Sequence, residues 1–107
     1  MTDTPFTRLE AVIAARRAAD PASSYVASLM AKGRAKMAQK LGEEGVETVI
    51  AALSGDREET VKEAADLIFH LCVLLADMGL GLDDVGAELD RREGVSGLAE
   101  KAARSTE

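Results

Sequence analysis

Two stretches of about twenty residues, 34–53 and 57–78, carry apolar side chains at helical spacing and are separated only by Ser54, Gly55 and Asp56. Two helices of that length joined by so short a turn fold back on one another, so the chain is built around an antiparallel helical hairpin. In the first stretch Met37, Ala38, Leu41, Gly45, Thr48, Val49 and Ala52 fall on one arc. In the second, Ala64, Leu67, Ile68, Leu71, Leu74, Leu75 and Met78 form a stripe, and Phe69, Cys72 and Val73 widen the apolar surface beyond it. A helix apolar nearly all round needs partners on more than one side. One chain offers one long hairpin, so the sequence predicts an all-α homodimer in which two hairpins make a four-helix-bundle-like core.

Around the hairpin the same logic places shorter helices. Pro5 suits a first helical turn, with Leu9, Val12, Ile13 and Arg16 following at helical spacing to about Ala18. Asp20 to Ser24 reads as a loop in which Ser23 or Ser24 caps the next helix. That helix starts near Tyr25 and either ends at Gly33 or runs through it. Asp56 followed by Glu59 has capping-box spacing, Gly79 is a natural stop, and a last helix spans about Asp83 to Glu93. Both prolines lie at positions 5 and 21, leaving the hairpin uninterrupted. The chain has one tyrosine, two phenylalanines and no tryptophan, so its core is made of Ala, Leu, Val, Ile and Met. The expectation is one domain over residues 1–107, with about 95–107 as a flexible tail.

Thirteen basic against nineteen acidic residues leave a net charge of −6. This balance argues against a duplex nucleic-acid partner, whose phosphates call for a basic footprint. It is compatible with one polyphosphate bridged to carboxylates by a divalent cation. The N-terminal residues MTDTPF are neither basic nor apolar, and the longest apolar run, Leu67 to Ala76, is interrupted by His70 and too short to cross a bilayer. The expected location is the cytoplasm, with no membrane partner. The single cysteine, Cys72, has no intramolecular partner and sits in an apolar run, which predicts a buried thiol.

Glu44 and Glu47 lie three apart on the first long helix, and Glu63 and Asp66 three apart on the second. Each pair shares one side of its helix, so an antiparallel hairpin can bring the two pairs face to face. Four ionised carboxylates in one pocket repel one another and require a compensating cation. Mg²⁺ suits such a site because it takes oxygen ligands and shares them with substrate phosphates. Acidic pairs at this spacing also occur on ordinary solvated faces, and more often. Here, however, Glu63 and Asp66 lead into the most apolar segment, and Glu44 borders the arc of Met37 and Leu41. Lys36 and Lys40 flank the side of Glu47, where they either meet phosphates or simply balance the glutamates. Lys32 and Arg34 stand nearby. His70, one turn after Asp66, reads as a hydrogen-bonded core histidine before it reads as a ligand. Arg91, Arg92, Lys101 and Arg104 are either an exposed basic tail or a cover for a polyphosphate.

The run Glu44 to Glu47 followed by Glu63-Ala64-Ala65-Asp66 resembles the ExxE…ExxD signature of the all-α nucleoside-triphosphate pyrophosphatases, which include the MazG-type enzymes. Ser24-Tyr25, Gly33 to Lys40, KLGEEGVETVIAA (Lys40 to Ala52), EAADLIFHLCVLLA (Glu63 to Ala76) and SGLAEKAAR (Ser96 to Arg104) are similar to the phosphoribosyl-ATP pyrophosphatases. Gly45 and Phe69 depart from the residues expected there, Ala and Tyr, and leave the acidic positions intact. The resemblance implies hydrolysis of phosphoribosyl-ATP to phosphoribosyl-AMP and pyrophosphate, the second step of histidine biosynthesis. It also implies Mg²⁺ on Glu44, Glu47, Glu63 and Asp66, with Glu47 or Glu43 taking a proton from the attacking water. Two other functions share the same four acids: a house-cleaning pyrophosphatase of nucleoside triphosphates, and a non-enzymatic helical dimerisation module.

Overall fold

The structure is a computed structural model, and it describes residues 3–94. It is all-helical, with no strand among the described residues: α1 (Pro5–Arg16), α2 (Tyr25–Lys32), α3 (Arg34–Ser54), α4 (Arg57–Asp77) and α5 (Leu82–Arg92). Helix boundaries follow local chemistry. Thr4 caps α1 by accepting from the Thr7 amide (3.2 Å), and the Thr7 hydroxyl accepts in return from the Thr4 amide (2.9 Å), with Pro5 at the first helical position. Ser24, not Ser23, caps α2 by accepting from the Ala27 amide. Gly33, at φ 98°, settles the alternative left open by the sequence: α2 ends there and α3 starts afresh. At the tip of the hairpin Gly55 takes φ 81°, and Asp56 accepts from the Glu59 amide at 3.0 Å. Gly79 stops the segment after α4 at φ 74°. The remaining ends differ by one or two residues from those expected, the usual fraying of a last turn.

α3 and α4 pack along one another, while α1 lies against α4 and α2, and α2 against α3. The core gathers Ile13, Val26, Leu29, Met37, Cys72 and Val73, with Leu9, Met30, Ile68, Phe69 and Leu82 packed around it. It therefore sits at the open end of the hairpin, where the second half of α4 meets the start of α3 under α1 and α2. Polar ties fasten that end. Glu10 accepts from the Leu82 amide (2.8 Å), Arg17 donates to the Ala76 carbonyl (2.9 Å), and Arg34 pairs with Asp77 (2.7 Å).

Two expectations about faces need correction. On α3 the buried residues are Met37, Glu44 and Ala51, with Leu41, Gly45 and Thr48 half-buried, whereas Ala38, Val49 and Ala52 of the expected arc are exposed. On α4 the deepest residues are Val73 and Cys72, and the centre of the expected stripe, Leu71, is only half-buried. The cause is the same in both helices. α3 and α4 carry apolar residues on more than one face, and only packing selects the inner one. As a result the uncovered apolar surface lies more on α3 than on α4: Val46, Val49, Ile50 and Leu53 are exposed by 56% to 84%.

Candidate active site

Nearer the tip than the core, the inner face of α3 turns acidic. Glu44 is buried on it, and at the next position Gly45 faces Leu67 of α4, where a Cβ would meet the leucine at 3.9 Å. Across the groove α4 presents Glu63, half-buried, and Asp66, exposed. One carboxylate oxygen from each of Glu44, Glu63 and Asp66 lies within 4.8 Å of the other two. Twice a metal–oxygen bond of about 2.0–2.6 Å is roughly 4–5 Å, so one oxygen-coordinated divalent ion spans such a trio. Glu47 bridges the set, with its carboxylate against both Glu44 and Glu63. Both pairs read from the sequence thus meet in space.

The electrostatics would suit a cation. Glu44 Oε2 and Glu63 Oε2 are buried without a hydrogen-bond partner. A buried carboxylate oxygen facing other carboxylates is costly unless a positive charge sits between them. Loss of solvent, and then the neighbouring Glu47 and Asp66, push the Glu44 carboxyl above its ordinary range. Loss of solvent, then Glu47 and Glu44, push Glu63 up to about 7. The donor set of three hard oxygens fits Mg²⁺ or another oxygen-loving divalent ion.

A pH dependence follows. Glu63 has an ordinary value of 4.5 and sits at about 7 in the fold. Between those values the folded chain keeps a proton that the unfolded chain has lost, so stability falls as pH rises across that window. The melting temperature of metal-free protein is expected to decline from pH 5 to pH 7.5, and Glu63→Gln to make the decline shallower. A melting temperature that climbs across this range would contradict the geometry.

The other residues singled out in the sequence divide. Glu43 is exposed and outside the acidic trio. It accepts from Gln39 (2.8 Å) and pairs with Lys40 (3.3 Å), and these contacts, Gln39 first, lower its pKa. A carboxylate so engaged is a poor proton acceptor. Lys40 is half-buried and its pKa is raised, chiefly by Glu43 and next by the nearby Tyr25 oxygen. Lys36 is half-buried close to Glu43. Lys32 is exposed at the end of α2, and Arg34 is taken by Asp77. His70 is buried and hydrogen-bonded, as expected: Nδ1 meets the Asp66 carbonyl (2.8 Å), and Nε2 meets the Tyr25 hydroxyl (3.0 Å). Because Nδ1 faces a carbonyl it carries the proton, so Nε2 accepts from Tyr25. Arg91 and Arg92 both clasp Glu88, at 2.7 Å and 2.9 Å, and hold its carboxyl down at about 2. Lys101, Arg104 and the Ser96 to Arg104 stretch lie outside the described residues.

Two neighbours of the site were not foreseen as such. Glu59 contacts Glu63 and lines, with Glu47, Ile50, Ala51 and Ser54, a groove of about 270 Å³ beside the carboxylates. Its spacing, four before Glu63, was the available signal. Tyr25 reaches the site from α2, and no spacing on one helix announces that. Among the described residues no single helix is long and apolar enough to cross a membrane.

A helical hairpin that turns ExxE and ExxD carboxylates toward one another fits the MazG-like superfamily of all-α pyrophosphohydrolases. A sequence model of the phosphoribosyl-ATP pyrophosphohydrolase family matches residues 6–93, and the chain belongs to that family. It is similar to the phosphoribosyl-ATP pyrophosphatase of Rhizorhabdus wittichii, with 71% identity over 97 residues covering 91% of this chain and 92% of the relative. The enzyme of that name from Erythrobacter litoralis is likewise 71% identical, over 91% of this chain and 93% of its own length. The one from Zymomonas mobilis is 60% identical over 97% of both chains.

Proposed function

We propose that this chain hydrolyses phosphoribosyl-ATP to phosphoribosyl-AMP and pyrophosphate, the second step of histidine biosynthesis, as a Mg²⁺-dependent cytoplasmic homodimer. The observation that carries the reading is the meeting of Glu44, Glu63 and Asp66 around two unpartnered buried oxygens, in a chain of this family. Those three carboxylates would hold the ion. When bound, Mg²⁺ supplies charge neutralisation at the phosphate oxygens. Glu47 touches Glu44 and Glu63 without belonging to the trio, so it is placed to take a proton from the attacking water as the new P–O bond forms and the phosphoanhydride bridge breaks. Lys40 and Lys36 stand on the same helix to meet phosphate oxygens, Lys40 exchanging its pairing with Glu43 for a phosphate. Pyrophosphate leaves with the electron pair of the broken bridge.

The dimer rests on the apolar face of α3. Val46, Val49, Ile50 and Leu53 point away from the chain's own core, and Val61 of α4 is 69% exposed as well. Branched apolar residues grouped this way mark an association surface. A second hairpin laid there would complete a four-helix bundle around the acidic groove. Sedimentation of the purified chain should show a dimer or larger species, and Ile50→Glu should shift it toward monomer.

Release of pyrophosphate tests the activity. With Mg²⁺, turnover of phosphoribosyl-ATP should exceed that of each member of a nucleoside-triphosphate panel by orders of magnitude in kcat/KM. Comparable rates across the panel would instead make the chain a general triphosphate pyrophosphatase, and no release from any substrate would leave a helical association module.

A further inference from the structure

Two of the chain's three aromatic residues meet in one place. Tyr25, the single tyrosine, stacks on Phe69 with ring centroids 5.9 Å apart and planes 18° from parallel. His70 stands edge-on to both rings, at 5.8 Å from Tyr25 and 5.1 Å from Phe69. The Tyr25 hydroxyl donates to His70 Nε2 at 3.0 Å, and His70 Nδ1 donates to the Asp66 carbonyl at 2.8 Å. The ring is therefore fixed at its tip by a hydrogen bond and along one face by Phe69. It nevertheless remains 48% exposed. It is also next to Lys40, and two hydrogen bonds from a residue of the acidic trio.

An immobilised, half-exposed aromatic ring is unneeded for packing: the core closes over Ile13, Val26, Leu29, Met37 and Val73 without it. Its position is informative because the functional groups read at the site, Glu44, Glu47, Glu63, Asp66 and Lys40, are all charged. Carboxylates with their ion, and Lys40, address phosphates; none of them addresses a flat, apolar base. An aromatic face beside them does, and it does so without preference for one base over another. We propose that Tyr25 is a substrate-binding residue whose ring, backed by Phe69 and anchored through His70, stacks on the purine base of the substrate while its polyphosphate lies on the acidic groove. This rests on the proposed function for the identity of the substrate, but not for the stacking.

The composition supplies the probe. With one tyrosine and no tryptophan, intrinsic fluorescence reports Tyr25 alone. AMP has a base and no anhydride to cleave, so it can be titrated into the Mg²⁺-loaded wild-type protein. Saturable quenching by AMP is expected, with none from pyrophosphate, which has no base. In turnover, Tyr25→Leu keeps apolar bulk but loses the π-face, and should raise KM for phosphoribosyl-ATP on the order of ten- to a hundred-fold with kcat little changed. Tyr25→Phe keeps the face and loses the hydroxyl that anchors it, and should raise KM by clearly less than Tyr25→Leu does. Mg²⁺ affinity, from titration calorimetry without nucleotide, should be unaltered in both. A Tyr25→Phe defect as large as that of Tyr25→Leu would assign Tyr25 to tethering His70 and overturn the stacking role. So would an active wild type that AMP does not quench, or a Tyr25→Leu variant with wild-type KM. A wild type that is quenched by AMP but inactive on phosphoribosyl-ATP would instead remove the proposed reaction and leave the base platform standing.

Discussion

Glu44→Gln, Glu63→Gln and Asp66→Asn are each expected to lose on the order of a hundred-fold or more in kcat/KM while the fold survives. Losing a partner one step removed from a metal typically costs about 10–100-fold, and these groups would touch the ion itself. Glu47→Gln should fall as far, through lost proton transfer rather than lost metal. Stability separates this account from ordinary damage. Glu44 and Glu63 have unpartnered buried oxygens and repel their neighbours. Taking away one charge therefore leaves the metal-free melting temperature level or higher. What shrinks is the rise in melting temperature on adding Mg²⁺, because stabilisation by a ligand scales as RT ln(1 + [L]/Kd), about 2.7 kcal/mol at a hundred times Kd. In Glu47→Gln that rise should persist more fully than in the other three. Glu58→Gln is the control, an exposed first-turn residue of α4 whose charge favours the helix start slightly. Glu59 is unsuited to that purpose, since its carboxylate contacts Glu63. The measurements are kcat/KM for phosphoribosyl-ATP and melting with and without Mg²⁺. Near-wild-type activity in any two of Glu44→Gln, Glu63→Gln and Asp66→Asn would sink the metal assignment.

Val73→Asp should prevent stable folding. Val73 is 0% exposed and lies in the cluster of Ile13, Val26, Leu29, Met37 and Cys72, which offers a carboxylate no partner. An unpaired buried charge costs several kcal/mol even after it protonates and the surroundings relax, a large part of the roughly 5–15 kcal/mol that holds a domain together. Val73→Ala, which removes only bulk, should cost roughly 1–3 kcal/mol. For a chain of this length each kcal/mol moves the melting temperature by about 4–8 °C. Thermal melts followed by circular dichroism would order the variants as wild type, Val73→Ala, Val73→Asp. A Val73→Asp protein melting within a few degrees of wild type would place the core elsewhere. Leu71, the midpoint of the stripe drawn from periodicity, is half-buried, and its substitution should cost less.

How much of this was legible beforehand depended on whether the relevant residues share a helix. A cap at Ser23 or Ser24, Asp56 at the start of α4, Gly79 beyond its end and the three-residue turn of the hairpin all follow from backbone chemistry within a few residues. So did the pairing of Glu44 with Glu47 and of Glu63 with Asp66, because a three-residue step always returns to the same side of a helix. His70 was read correctly as a bonded core histidine, since an imidazole in an apolar run has to find partners. The faces were less legible. Val49 and Ala52 belong to the same arc as Met37 by periodicity, yet Met37 is buried and they are exposed. Apolar residues on more than one side leave the choice of inner face to the neighbouring helices.

From its own residues, the sequence determined that this protein is helical, that its two long helices form a hairpin, and that each brings two carboxylates to one side. Propensity, capping and periodicity are properties of a single helix and its ends. Only the tertiary structure decided that Glu44 is buried while Glu43 turns outward to Gln39 and Lys40, that Glu44, Glu63 and Asp66 close to within 4.8 Å, and that Tyr25 reaches His70 beside them. Those facts depend on the rotation and offset of one helix against another. That relation is set by how Met37, Leu29, Ile13 and Val73 interlock in the core, and no spacing along one helix contains it.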